Sequence, residues 1–126
     1  MKGIYVLFIK VKKDKRIKIG TLGEIYFLKG IYAYIGSAQN NLEKRLKRHI
    51  LKRKKEFWHI DYLLRNKDVE IIEIFYEEGS KEKECKTAEY FEKKYIPIVG
   101  FGSSDCKCKA HLFRIDYARD RFFKSL

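Results

Sequence analysis

Two pieces of the chain place tyrosine beside glycine and isoleucine: Gly3-Ile4-Tyr5 and Gly30-Ile31-Tyr32-Ala33-Tyr34-Ile35-Gly36. Side chains two residues apart on a strand share a face. Tyr32 and Tyr34 therefore sit on one side of one strand, with no room for a turn between them. Tyr5 belongs to another strand, which sheet pairing can bring opposite Tyr34. Tyr5 and Tyr34 form the working pair, and Tyr32 is a packing or edge residue. Arg45 and His49 are four apart, on one stripe of a helix. From Lys44 to Lys55 the sequence reads KRLKRHILKRKK, eight Lys/Arg in twelve positions with no acid to balance them. Such a run can track the phosphates of DNA. Lys44, Lys47, Arg48, Lys52 and Arg53 are the candidate contacts; a solvated helix face is the plainer alternative. Trp58 and Tyr62 either stack on an unpaired base or pack in the core. Cys106-Lys107-Cys108 and His111 make a C-x-C-x2-H arrangement, to which Cys85 can add a fourth ligand for Zn²⁺. That spacing is tighter than in common zinc motifs, so a packed thiol cluster is the favoured reading.

The elements that must hold these groups can be read in order. Gly3 to Lys12, rich in Ile, Val, Phe and Tyr, reads as a strand. Ile17–Ile19 and Glu24–Leu28 are short β-like pieces around a Gly-Thr-Leu-Gly stretch, and Gly30–Gly36 is a further strand. Asn40 or Asn41 caps a helix predicted from about Leu42 to about Lys54. Leu42, Leu46 and Ile50 recur every four residues and should face the core. Phe57–Arg65 suggests a shorter helix, and Val69–Tyr76 a strand. Ser80 caps a third helix with Glu84, Ala88, Phe91 and Tyr95 on one face. Pro97 and the Gly100–Ser104 stretch end it. Phe113, Ile115 and Tyr117 form a last strand or short helix.

One domain over residues 1–126 fits the length. The formal net charge is +12, and it is segregated. Residues 1–55 hold 16 Lys/Arg against 3 Asp/Glu, whereas residues 56–126 hold 13 against 14. Abundant Lys and Glu together also mark proteins of hot organisms, but that does not explain segregation, which points to a polyanionic partner. No apolar run reaches the roughly 18 residues of a membrane span. The N-terminus reads as a strand rather than a signal peptide, so a cytoplasmic protein is expected. Three late cysteines are not a secreted disulfide framework.

Gly3-Ile4-Tyr5, then Tyr34-Ile35-Gly36-Ser37, then Leu42-Glu43-Lys44-Arg45-Leu46-Lys47-Arg48-His49, resembles the GIY-YIG nuclease superfamily. That superfamily includes the N-terminal nuclease domain of an excision-repair subunit and certain homing endonucleases. Phe57-Trp58-His59-Ile60-Asp61-Tyr62-Leu63-Leu64, Glu84-Cys85 and Gly100-Phe101-Gly102-Ser103-Ser104-Asp105-Cys106-Lys107-Cys108 resemble one branch of it. That branch is an archaeal and bacterial group of unknown function, sometimes fused to an endonuclease III-like glycosylase. The resemblance implies a small α+β fold, with a mainly antiparallel central sheet flanked by helices. The 28 residues between Tyr5 and Tyr34 imply an inserted hairpin.

It also implies roles. Phosphodiester hydrolysis needs an aligned water, a group to take its proton, and positive charge to meet the charge on phosphorus. Glu84 would hold one Mg²⁺ or Mn²⁺, with Glu89 as the alternative ligand. Arg45, or Lys44 beside it, would grip the phosphate. Tyr5 would orient or deprotonate the water, and needs a nearby cation to lower its pKa from about 10. Tyr34 and His49 would position these groups, and His49 can instead relay the proton. The expected protein is a metal-dependent endonuclease of DNA, in repair or processing. Its rivals are a non-catalytic nucleic-acid-binding module and a zinc-stabilised adaptor of a repair enzyme.

Overall fold

A computed structural model describes residues 1–52, 55–103 and 108–115; Arg53, Cys106 and Tyr117 lie outside them. Strand β1 (Gly3–Val11) is buried at every position except Lys10. Such a run of Ile, Val, Leu and Phe suits a strand covered on both faces and both edges. Its neighbours are β4 (Gly30–Ala38) and β5 (Val69–Glu78), both antiparallel to it. β7 (Leu112–Ile115) extends the sheet beyond β4, and the two-residue β6 (Ile96–Pro97) closes that edge. The five strands run in the order β5-β1-β4-β7-β6. A separate hairpin, β2 (Lys15–Lys18) with β3 (Glu24–Phe27), occupies the insertion between β1 and β4. The fold is α+β, as the resemblance implies.

Alternation along β1 divides the core into two layers. Tyr5, Leu7, Ile9 and Val11 face one way, with Tyr34, Leu42, Ile60, Leu63 and Leu64. The hairpin lends Ile17 and Phe27 to this layer. Val6 and Phe8 face the other way, against Ala88 and Phe91 of helix α3 (Lys81–Lys94). Burying one such side chain fully contributes roughly 1.5–3 kcal/mol.

Helix α1 (Leu42–Ile50) starts where predicted, with the Asn41 side chain accepting from the Lys44 N–H at 3.0 Å. It ends at Ile50, short of Lys54. Leu42 is buried and Leu46 half-buried, but Ile50 is 61% exposed, so the expected apolar stripe runs out before its third member. Helix α2 (His59–Leu64) begins two residues later than predicted, because the buried Asp61 carboxylate accepts the N–H groups of Phe57 and Trp58 at 2.9 Å each. Among the described residues, no helix is long and apolar enough to cross a membrane.

Candidate active site

The sheet register brings Tyr5 directly opposite Gly36, not Tyr34. Tyr34 pairs with Leu7, one step along the same face, and the two phenol rings meet on the diagonal with centroids 6.4 Å apart. The reason for glycine is then local. A Cβ at residue 36 would lie 2.4 Å from Tyr5 Cζ and Oη, so only glycine lets the ring lie across β4. Gly102 serves Tyr34 likewise. Its φ of +72° favours glycine, and a Cβ there would crowd Tyr34 Cε1 at 3.2 Å.

Tyr5 and Tyr34 form part of the wall of a cleft of about 970 Å³, together with Ser37, Lys44, Arg45, Lys47, Arg48, Trp58, Lys81 and Glu84. The predicted phenols, guanidinium and carboxylate thus converge from β1, β4, α1 and α3. Arg45 Nη1 donates to the Ser37 carbonyl at 3.0 Å, and its guanidinium stands 4.3 Å from the Trp58 ring centroid. Arg48 stands over the same indole at 4.4 Å. Trp58 is therefore half-buried and flanked by two cations, whereas Tyr62 packs against the core layer beneath.

His49 stands behind this wall. It is 2% exposed, and its Nε2 lies 2.7 Å from Tyr5 Oη. A neutral phenol donates in that bond when Nε2 carries no proton. Burial pushes the Tyr5 phenol up to about 12, with Arg45 pulling less strongly the other way. Burial also holds Tyr34 well above the ordinary range. Arg45 pulls the Tyr5 phenol down, as a nearby cation should, but desolvation outweighs it.

Glu84 is 9% exposed. Ser37 Oγ donates to its Oε1 at 3.3 Å, and His111 Nδ1 lies 3.4 Å from its Oε2. A single carboxylate facing an open, water-accessible cleft suits a Mg²⁺ or Mn²⁺ that keeps most of its waters. Glu89 is exposed and outside the lining. Lys44 and Lys47 are exposed on the cleft wall. Lys52 is engaged elsewhere. Its Nζ donates to the carbonyls of Leu64 at 2.7 Å, Asn66 at 3.0 Å and Val69.

Two participants had no role from sequence. Ser37 bridges the strand to both Arg45 and Glu84; its place in the Tyr34–Ser37 string was its only signal. Asp61, wholly buried, grips Arg48 through both oxygens at 2.8 and 2.9 Å. Burial pushes its carboxyl up, but the Arg48 guanidinium and the Trp58 and Phe57 N–H groups outweigh that and hold it low. Arg48, a predicted DNA contact, is therefore anchored as well as cleft-facing.

Fold and cleft together define a small α+β protein whose strand-borne phenols share one basic cleft with a guanidinium and a carboxylate. The chain belongs to the family described as domain of unknown function DUF123, whose model matches residues 4–125. No curated protein and no solved structure matches it.

Proposed function

We propose that this protein is a metal-dependent endonuclease of the GIY-YIG type, hydrolysing DNA phosphodiester bonds in repair or processing. The observation that carries the reading is convergence. Tyr5, Tyr34, Arg45 and Glu84 come from four separate elements and line one cleft, whose other charged wall residues are lysines and an arginine.

In this reading Arg45 grips the scissile phosphate, and Lys44 and Lys47 hold its neighbours. Tyr5 Oη contacts the attacking water. With a pKa of about 12, only about one such phenol in 10⁵ is ionised at pH 7. Tyr5 therefore acts as a relay and not as a resting phenolate. The water's proton passes to Tyr5 Oη as the Tyr5 proton passes to His49 Nε2. The water oxygen bonds to phosphorus, and the bond from phosphorus to one sugar oxygen breaks. Glu84, held by Ser37, would be the protein ligand of the Mg²⁺ or Mn²⁺, which when bound supplies charge compensation at the phosphate and leaving oxygen.

The test is a cutting assay on single-stranded, duplex and branched DNA with Mg²⁺ or Mn²⁺. Tyr5→Phe should slow cleavage roughly 10²–10⁴-fold, Glu84→Ala should abolish it, and Arg45→Ala should slow it about 10²-fold. Undiminished cleavage after both of the first two changes would sink the assignment. A non-catalytic nucleic-acid-binding module is the second reading, favoured by the near-complete burial of both phenols, which leaves them little surface for a cleft water. Its signature is tight, salt-sensitive binding with no cutting on any substrate.

A further inference from the structure

We propose that Cys85, Cys108 and His111 form a Zn²⁺ site beside the cleft, separate from the Glu84 oxygen site and independent of whether the cleft cuts nucleic acid. The three residues come from the first half of α3 and from the segment that returns to β7. One ligand atom of each lies within 4.8 Å of the others. Zinc bonds of 2.3 Å to sulfur and 2.0–2.1 Å to nitrogen set tetrahedral edges of roughly 3.6–3.8 Å. The three atoms need draw in by only about an ångström to reach that geometry. Both thiols are half-buried and His111 is 3% exposed.

The donor set decides the metal. Two thiolates and an imidazole select zinc, whereas a lone carboxylate suits Mg²⁺ or Mn²⁺. Two adjacent sites can thus take different ions without exchange. The thiols bind as thiolates, so loading one Zn²⁺ releases two protons.

The backbone supports this placement. His111 N–H donates to the Phe101 carbonyl at 2.8 Å, and the His111 carbonyl accepts from Ile35 N–H at 2.9 Å, which fixes residue 111 beside β4. His111 Nδ1 faces Glu84 Oε2. Zinc bound through Nε2 would hold the proton on Nδ1, directed at Glu84, an arrangement in which a carboxylate orients a metal-bound imidazole. The ion would then fasten the return segment to α3 at the residue next to Glu84.

The test uses the full chain, expressed in zinc-supplemented medium and purified with its thiols reduced. Metal analysis should give about one zinc per chain. Replacing zinc with Co²⁺ should give a thiolate-to-cobalt charge-transfer band and the strong visible absorption of a tetrahedral centre. Cys85→Ser, Cys108→Ser and His111→Gln should each lower zinc content, and Glu84→Gln, which removes the carboxylate behind His111 but no ligand, should weaken zinc affinity only about 10–100-fold. Should any of these variants fail to fold, the cobalt spectrum of the unaltered chain still decides whether thiolates are ligands. Zinc below about a tenth of an equivalent in folded protein, no charge-transfer band, or undiminished zinc in all three folded ligand variants would overturn the site. A Cys85–Cys108 disulfide in the reduced preparation would overturn it as well.

Discussion

Tyr5 and His49, 44 residues apart in sequence, are hydrogen-bonded at 2.7 Å with ring centroids 5.3 Å apart. The phenol faces the cleft and the imidazole lies behind it. If the pair moves one proton as a unit, removing either member removes the relay. Tyr5→Phe and His49→Gln should each slow single-turnover cleavage by roughly 10²–10⁴-fold. The double variant should be no slower than the worse single one. Losses that multiply would show that the two residues act separately.

Gly36 is tied to the Tyr5 ring by clearance alone. Gly36→Ala puts a methyl 2.4 Å from Tyr5 Cζ and Oη in a fully buried setting. Overpacking of this kind costs about 1–3 kcal/mol, read as a lower urea midpoint at unchanged slope. An unshifted midpoint would mean that the ring has more room than its burial indicates.

The buried phenols make the fold sensitive to base. Tyr5 is pushed up to about 12, and burial also raises Tyr32 and Tyr34. In the unfolded chain a phenol ionises near 10. The stability at stake is fully present below pH 10 and drains away as pH climbs toward the folded value. For Tyr5 alone this amounts to about 2 kcal/mol by pH 12. Urea midpoints followed alongside tyrosinate absorbance should fall over that window, less steeply in Tyr5→Phe. A flat alkaline profile would contradict the burial.

Lys47 and Lys52 separate phosphate contact from structural support. Lys47→Ala should weaken DNA binding and reduce its logarithmic salt slope by about 1. Lys52→Ala should leave the slope alone and cost about 1–2 kcal/mol of stability, because its ammonium satisfies carbonyls at residues 64, 66 and 69. Desolvation, with Lys12 nearby, already holds the Lys52 ammonium below the ordinary lysine range. A changed salt slope in Lys52→Ala would return that residue to the binding face.

Much of the fold was legible because its signals are local. Alternation placed Tyr5 and Tyr34 on strands, the four-residue step placed Arg45 and His49 on α1, and the long gap after Tyr5 marked the hairpin. Burial was harder to read. KRLKRHILKRKK looks like one continuous basic face, yet Arg48 turns to a buried carboxylate and Lys52 to backbone carbonyls, both supplied by residues 61–69. The register was hidden too, since pairing Tyr5 with Gly36 rather than Tyr34 is a one-step choice that only the whole sheet makes. Sequence spacing named Cys85, Cys108 and His111 together, but their proximity comes from packing α3 against the return to β7.

The strand order also sets a timetable. β4, which carries Tyr34, is flanked on its far side by Leu112–Ile115, and Glu84 meets its histidine only at residue 111. A growing polypeptide that has emerged only as far as α3 holds Tyr5, Tyr34, Arg45 and Glu84 but neither of these braces. The four groups would therefore be made before the segment that props them.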